Sequence, residues 1–404
     1  VCSSDLEKYY YSKKFYTADS LFLLGYGENE PTKVTRKDAG NYINTVALFS
    51  PVFYLDDFLN SGIDPASIAF KQGKLDTITY QKDNSSVIRF LIDRKKKLLS
   101  AIYVAYPHEL YGDVLKKITY SEYRQNTKTK TYYPTKVKEE ELGIIFNEVT
   151  IALADEKLNI DVIKKEIPGD YKLINTAPTE LEITYQKFND HIHLLDFRHT
   201  DDRILIVEFE DFLLVAEAPL NSKNGELIIE KAKEIAPDKP IKYFVFGHHH
   251  PHYIGGIRAF VANQTTVLCY EENMDYVNQI ISFKHTIEPD ILENNRQQLM
   301  IEGIDSIKII SDKKLEMQII HIGEMSHHTK DYLIYYFPKY KLLFEDDLIW
   351  IAKDKPIVAA RQRQKGVYDA IIKYDLEVDT IIQSWPVNGH GVKTIIDFKD
   401  LKKS

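Results

Sequence analysis

Cysteine is nearly absent from this chain: two in 404 residues, at positions 2 and 269. A lone internal thiol cannot form an internal disulfide, and no paired-cysteine spacing is present that would close a structural zinc site. Any metal must therefore be held by histidine and carboxylate. No stretch reaches the roughly 18 apolar residues that a membrane span requires. Nor is there a surplus of positive charge, since 52 Lys and Arg against 60 Asp and Glu leave a formal charge of −8. That balance disfavours nucleic acid as a partner, because phosphate backbones attract basic surfaces. The short run Arg94-Lys95-Lys96-Lys97 lies between strand-like segments and reads as a solvated turn. A start methionine and an apolar signal core are also lacking. The opening Val1-Cys2-Ser3-Ser4-Asp5-Leu6 reads as an adapter-derived scar, so residues 1–6 are set aside and the native N-terminus is expected to be missing. Internal repeats and low-complexity tracts are absent as well.

What is present is the ordinary make-up of a folded chain, 44% hydrophobic and 28% charged, with enough length for more than one domain. Residues 7–45 are mixed and take no firm assignment. From 46 to 168 short alternating segments follow one another, among them Leu75–Tyr80, Val87–Ile92, Leu98–Tyr103 and Lys117–Tyr123. Turn-prone residues such as Asp83-Asn84-Ser85 and Gly112-Asp113 separate them, which predicts an antiparallel β-meander domain. Glu166-Ile167-Pro168-Gly169-Asp170 is the linker candidate. From 180 to 404 strand-like and helix-like segments alternate. Ile192–Leu195, Ile204–Val207 and Phe212–Ala216 read as strands, and Glu226–Ala236 as a helix with Asn224 as its cap. Further helix-like segments span 271–283, 367–375 and 394–403. Sheets with helices on their outer faces satisfy this order. The fold class expected is α+β.

The densest chemistry lies at Gly247-His248-His249-His250-Pro251-His252-Tyr253-Ile254-Gly255-Gly256, directly after the apolar run Ile241–Phe246. That run reads as a buried strand, and the glycine pair as a tight turn into a helix. Single histidines are more often surface or core residues than ligands. Three at alternate positions are different, because alternate residues of extended backbone point the same way and His248, His250 and His252 could converge. Neutral imidazole is the commonest metal ligand.

Later stretches complete a pattern. His327-His328-Thr329 precedes the strand-like Tyr332–Phe337, Glu345-Asp346-Asp347 follows the run Lys341–Phe344, and Asn388-Gly389-His390-Gly391 stands near the end. In this order the motifs resemble the metallo-β-lactamase fold superfamily, over roughly residues 180–404. The resemblance implies a C-terminal αββα sandwich with ligands on loops at one edge, preceded here by the β-rich domain. It implies metal ligands at His248, His250 and His328, a bridging carboxylate at Asp347, and a second-site ligand at His390. His252 stands where the superfamily has Asp, Tyr253 where it has His, and Asp346 where it usually has Gly. The first site is intact on these residues and the second is altered, so one or two ions, zinc best suited, are expected.

The function so implied is a metal-dependent hydrolase using a metal-bound hydroxide on an ester, lactone, thioester, amide or phosphoester bond of a small molecule. Asp347 would orient or deprotonate the water, and Tyr253 would donate a hydrogen bond to the developing oxyanion. Glu217, at the end of a strand-like run, would orient a ligand histidine or be an ordinary strand-end carboxylate. His199 lies where the resemblance places a loop near the active site, and His249 and His327 read as bystanders. The N-terminal sheet resembles the domain that precedes some secreted hydrolases of this superfamily and, more distantly, bacterial lipoprotein-carrier half-barrels. That implies a periplasmic or secreted location, with the sheet as a ligand cradle or as the contact of a homo-oligomer. The rivals to the hydrolase are a metal-poor pseudoenzyme and an envelope carrier.

Overall fold

A computed structural model describes residues 13–16, 20–24, 32–35, 51–60, 62–82, 86–128, 130–152, 172–173 and 180–404. The expected scar at 1–6, the expected turn at 83–85 and the linker candidate at 166–170 lie outside the described residues. The chain divides into two units. One holds His108–Gly112 and everything described from residue 180 onward, and the other holds the remaining described residues.

In the N-terminal unit the described elements are β1 (Lys13–Tyr16), β2 (Ser20–Leu24), β3 (Thr32–Thr35), α1 (Val52–Asn60), β4 (Ala69–Lys71), β5 (Leu75–Gln81), β6 (Val87–Asp93), β7 (Leu98–His108), β8 (Gly112–Ser121), β9 (Arg124–Gln125), β10 (Tyr132–Tyr133), β11 (Lys136–Glu141), β12 (Ile144–Thr150) and β13 (Lys172–Leu173). The main sheet has the order β12-β11-β8-β7-β6-β5-β4 and pairs antiparallel along the registers of neighbouring strands. The four segments named from the sequence are its central strands. β7 runs on to His108, five residues past the expected end. Its core gathers Tyr54, Tyr80, Ile88, Phe90, Ile102, Ile118 and Val137 from α1 and the inward positions of the sheet. The basic run at 94–97 is an exposed turn, closed by Asp93 Oδ1 accepting the N–H of Lys95 and of Lys96 at 2.9 Å each.

The C-terminal unit carries β14 (Ile183–Lys187), β15 (Ile192–Phe197), β16 (Asp202–Glu208), β17 (Leu213–Ala216), α2 (Ser222–Ile235), β18 (Ile241–Val245), α3 (Pro251–Ile254), α4 (Ile257–Ala262), β19 (Thr266–Tyr270), α5 (Met274–Ser282), α6 (Ile291–Asn294), β20 (Ile301–Ile304), β21 (Ile307–Ser311), β22 (Glu316–His321), β23 (Leu333–Phe337), β24 (Leu342–Glu345), α7 (Gln362–Lys373), β25 (Thr380–Gln383), β26 (Ile395–Asp397) and α8 (Phe398–Lys403). One sheet runs β14 to β20 and the other β21 to β26, each in sequence order. The first turns from antiparallel to parallel at β17, because α2, α4 and α5 carry the chain back between successive strands.

Three cores define the layers. Val207, Leu214, Val245 and Leu268 of the first sheet meet Met317, Ile319, Tyr335 and Phe344 of the second. The opposite face of the first sheet packs Ile206, Val215 and Phe244 against Ile228, Phe260 and Val277 of its helices. The opposite face of the second packs Ile334, Leu343 and Ile381 against Val367, Ile371 and Leu401. Strands such as β16 and β17 are buried on both faces, which is why they read as unbroken apolar runs. The unit is mixed α and β with both antiparallel and parallel pairing.

Several local expectations are corrected. The cap of α2 is Asn221, whose side chain accepts the N–H of Asn224 at 3.0 Å, so the helix starts earlier than 226. The last helix-like segment divides into β26 and α8. The glycine pair is, as expected, a tight turn into a helix, α4, and Gly255 also serves closeness, since a Cβ there would strike the backbone of Leu220.

Candidate metal centre

The chain leaves β18 through Phe246 and Gly247 and presents His248 and then His250, the latter in extended backbone. Pro251 then opens α3, as its fixed φ and missing N–H allow at a first helical position. This breaks the alternation on which His252 depended. His252 lies inside α3 and turns to Asp202, with Nδ1 2.9 Å from Oδ1. His328 follows a short turn whose Ser326 Oγ accepts the N–H of His328 at 3.1 Å and of Thr329 at 3.2 Å. Asp347 follows the end of β24.

These loops bring His248, His250, His328 and Asp347 together, with one ligand atom from each lying within 4.8 Å of all the others. His248 Nε2 is 2.9 Å from His250 Nδ1, and His328 Nε2 is 3.3 Å from Asp347 Oδ2. Ligands about 2.1 Å from a tetrahedral ion stand roughly 3.4 Å apart, so the spacing is that of a metal site slightly relaxed. His328 Nε2 is buried and makes no hydrogen bond within the chain. A buried ring nitrogen without a partner is costly unless something else occupies it. The donor set of three imidazoles and one carboxylate fits a divalent transition metal.

The surroundings set the charges. His248 is fully buried, and burial holds its pKa well below the ordinary value. His250 is brought down to about 4 by burial and by the neighbouring His328. Both are neutral near pH 7, as ligands must be. Burial also acts to raise the carboxyl of Asp347, but the bond from His328 beside it leads the effects that overcome this and keep it below the usual range. Burial raises Glu217 and Glu345 to about 8 each and pushes Asp346 upward. Asp347 is thus the one carboxyl of this group held low, beside Glu217, Glu345 and Asp346, which burial pushes up.

Asp346, which the sequence marked only as a departure from the superfamily pattern, is given a role by the structure. Its Oδ2 lies 2.7 Å from His248 Nδ1, both groups fully enclosed. An ion on Nε2 requires the proton on Nδ1, and Asp346 is placed to accept it. The carboxylate sits over Gly247, where any Cβ would collide with it. Glu217, expected either to orient a histidine or to be an ordinary strand-end carboxylate, accepts the Gly247 N–H at 3.1 Å and the Tyr335 O–H at 2.7 Å. Tyr332 stacks on His248 with ring centres 4.8 Å apart and receives the N–H groups of Asp346 and Asp347 at 3.0 Å each.

The other candidates lie outside the four-residue group. His390 Nε2 is 2.9 Å from Asp201 Oδ2, so the consecutive Asp201 and Asp202 hold His390 and His252 respectively. Burial raises Asp202 to about 6, against the opposing bond from His252. Tyr253 is buried in the core beneath the first sheet's helices, its ring centre 4.5 Å from that of His248. His199 bonds Asn224 at 3.0 Å, a structural partner near the start of α2. His249 is held by Asp331 at 3.1 Å, and both it and His327 line the cleft without joining the ligand group. That cleft has a volume of about 770 Å³, and His250, His252, His328 and Arg363 stand in its wall.

Among the described residues, no helix is long and apolar enough to cross a membrane. No protein-family model matches the chain, and no curated protein does. Solved structures do match. A metallo-beta-lactamase from Pontibacter korlensis is 14% identical, covering 55% of this chain and 96% of its own, with a TM-score of 0.40. The metallo-beta-lactamase FIM-1 from Pseudomonas aeruginosa, in a mono-zinc form, is 17% identical over 56% and 94%, with a TM-score of 0.40. One from Hirschia baltica is 16% identical over 55% and 94%, with a TM-score of 0.39. Each of these is a metallo-beta-lactamase, the superfamily that the sequence motifs resemble.

Proposed function

We propose that the C-terminal unit is an αββα sandwich of the metallo-β-lactamase fold superfamily and acts as a metal-dependent hydrolase on a small molecule. The observation that carries this is the convergence of three imidazoles and one ionised carboxylate, with His328 Nε2 buried beside Asp347 at 3.3 Å. Bound there, zinc or a similar transition metal would supply Lewis acidity and bring the pKa of a bound water to about 7. His248, His250 and His328 would hold it and leave a position open for water, with Asp347 beside that position. Asp346 keeps the proton of His248 on Nδ1, away from the ion. Asp347, the ionised carboxylate at the cleft, is the group available to orient water or take its proton. The bond cut is an ester, lactone, thioester, amide or phosphoester.

The test is elemental analysis of protein purified without added metal, followed by an ester and phosphoester screen before and after chelation. About one equivalent per chain, and hydrolysis that chelation abolishes, is the expected result. A second ion would need His252 and His390, which Asp202 and Asp201 already engage. Two full equivalents would show that these dyads serve a second site. No metal would sink the hydrolase and favour the metal-poor pseudoenzyme.

Tyr253 is proposed as donor to the developing oxyanion. Tyr253→Phe is expected to lower kcat about tenfold at unchanged metal content, less than the roughly 100- to 1000-fold of a lost oxyanion-hole donor. Unchanged turnover would remove Tyr253 from the mechanism.

A further inference from the structure

We propose that Asp331 is the positioning residue of the metal centre: it ties the loop that carries His248 and His250 to the turn that carries His328, and so sets the distance between the imidazoles. This rests on the metal reading above and goes beyond it by naming what holds the three ligands in register.

The three imidazoles come from two segments far apart in sequence. One follows the end of β18, and the other precedes the start of β23. Two residues of the second segment grip the first, on either side of His248. The N–H of Leu333 donates to the carbonyl of Gly247 at 2.7 Å. The carboxylate of Asp331 accepts the N–H of His249 at 2.9 Å, across 82 positions of sequence. Leu333 is the first residue of β23, and two residues earlier a side chain makes the next bond. That side chain is itself held. Asp331 is buried, both of its oxygens stand 3.1 Å from His249 Nδ1, and Asn273 Nδ2 donates to Oδ2 at 2.6 Å. Burial acts to raise its pKa, yet the bonds from His249 and Asn273 outweigh this and keep the carboxyl well below the usual range. It is an acceptor with no proton of its own to place, and its bonds are of the stronger, charge-assisted kind.

His249 is no ligand, but it stands between two. Fixing its backbone N–H fixes the peptide that joins His248 to His249, and with it the path of the chain to His250. On the other side, Asp331 follows His328 by three residues in the same connection. The approach of His248 Nε2 to His250 Nδ1, at 2.9 Å, is internal to one loop. The distances to the third ring cross from one segment to the other: His328 has its centre 4.8 Å from that of His248 and 4.8 Å from that of His250. These are the distances that a tie between the segments controls. Asp346 acts on one ring, that of His248, whereas Asp331 acts on the spacing of all three. Metal–ligand distances hold to within about 0.2 Å, so slack between the two segments is paid in affinity.

The experiment measures zinc affinity by competition with a chromophoric chelator, and the visible absorption of the cobalt-loaded protein, for the wild type, Asp331→Ala and Asp331→Asn. Melting of each metal-free protein is recorded beside them. Asp331→Ala is expected to weaken zinc about 10- to 100-fold, the loss typical of residues that orient ligands, and to change the position or intensity of the cobalt bands. Asp331→Asn keeps one acceptor oxygen for the N–H of His249, and is expected to bind zinc tighter than the Ala variant and weaker than wild type. A tie that serves the fold alone would lower melting and leave both affinity and cobalt bands as in the wild type, and that result overturns the inference. If the Ala variant does not fold, the Asn variant decides, and wild-type affinity with wild-type bands in it overturns the inference. A wild type that binds neither zinc nor cobalt overturns the metal reading and this inference with it.

Discussion

Asp290→Ala is expected to lower the free energy of unfolding by about 3–5 kcal/mol, the cost of leaving a buried charge without its partner. The partner is Arg258, whose side chain is fully buried beneath the first sheet. Its Nε donates to Asp290 Oδ2 at 2.6 Å and its Nη2 to Oδ1 at 3.0 Å. The remaining donor, Nη1, meets the carbonyls of Ile280, Ile281 and Phe283. The same carboxylate caps α6 through the N–H of Glu293 and accepts the hydroxyl of Ser222. One residue thus joins α2, α4, α5 and α6, and alanine in its place strands the guanidinium. Burial acts to raise the pKa of Asp290, yet these bonds outweigh it and bring it to about 2. A depressed carboxyl stabilises the fold above its unfolded value near 3.9 and loses that contribution as pH falls toward 2. Urea unfolding of wild type and variant should therefore differ fully at pH 6, with the gap narrowing below pH 4. A difference under 1 kcal/mol at pH 6 would mean that water reaches Arg258.

His250→Ala is expected to weaken zinc binding by more than about 100-fold, beyond the 10- to 100-fold typical of residues that only orient a ligand. The imidazole supplies Nδ1 to the group and faces the cleft rather than a core. The metal-free variant should accordingly melt with the metal-free wild type. Because burial and His328 hold His250 near a pKa of 4, no proton need be displaced at pH 7 and the whole effect should appear there. Competition with a chromophoric chelator gives the affinity. A variant that holds zinc as tightly as the wild type would show that the remaining three residues suffice and that His250 is no ligand.

The four residues that converge were legible because each sits beside a signal that survives in sequence: histidines next to a strand, or acids after one. His252 looked equivalent to His248 and His250 only while the backbone was taken as extended. Pro251 begins a helix at that point, and helical geometry turns the ring to Asp202. Asp201, Asp202, Asp331 and Asp346 left no comparable trace, since an acid gains its role here from a partner some 50 to 190 positions away. The layering of the C-terminal unit was readable from doubly buried strands alternating with helical segments. Helix caps were less so, because Asn221 and Asn224 are chemically the same residue three positions apart and both serve the start of α2.

Gly247 and Asp346 occupy one volume between them. The carboxylate fills the space that a side chain at 247 would need, and its tilt toward His248 depends on that space. The two positions are therefore a single heritable unit: among relatives, an acid at the second should occur with glycine at the first, and a small residue at the second should relax the first. A chimera that imports the histidine loop from a relative bearing alanine at 247 must import the Glu345–Asp347 segment with it, or it will arrive with its ligands intact and its His248 unanchored.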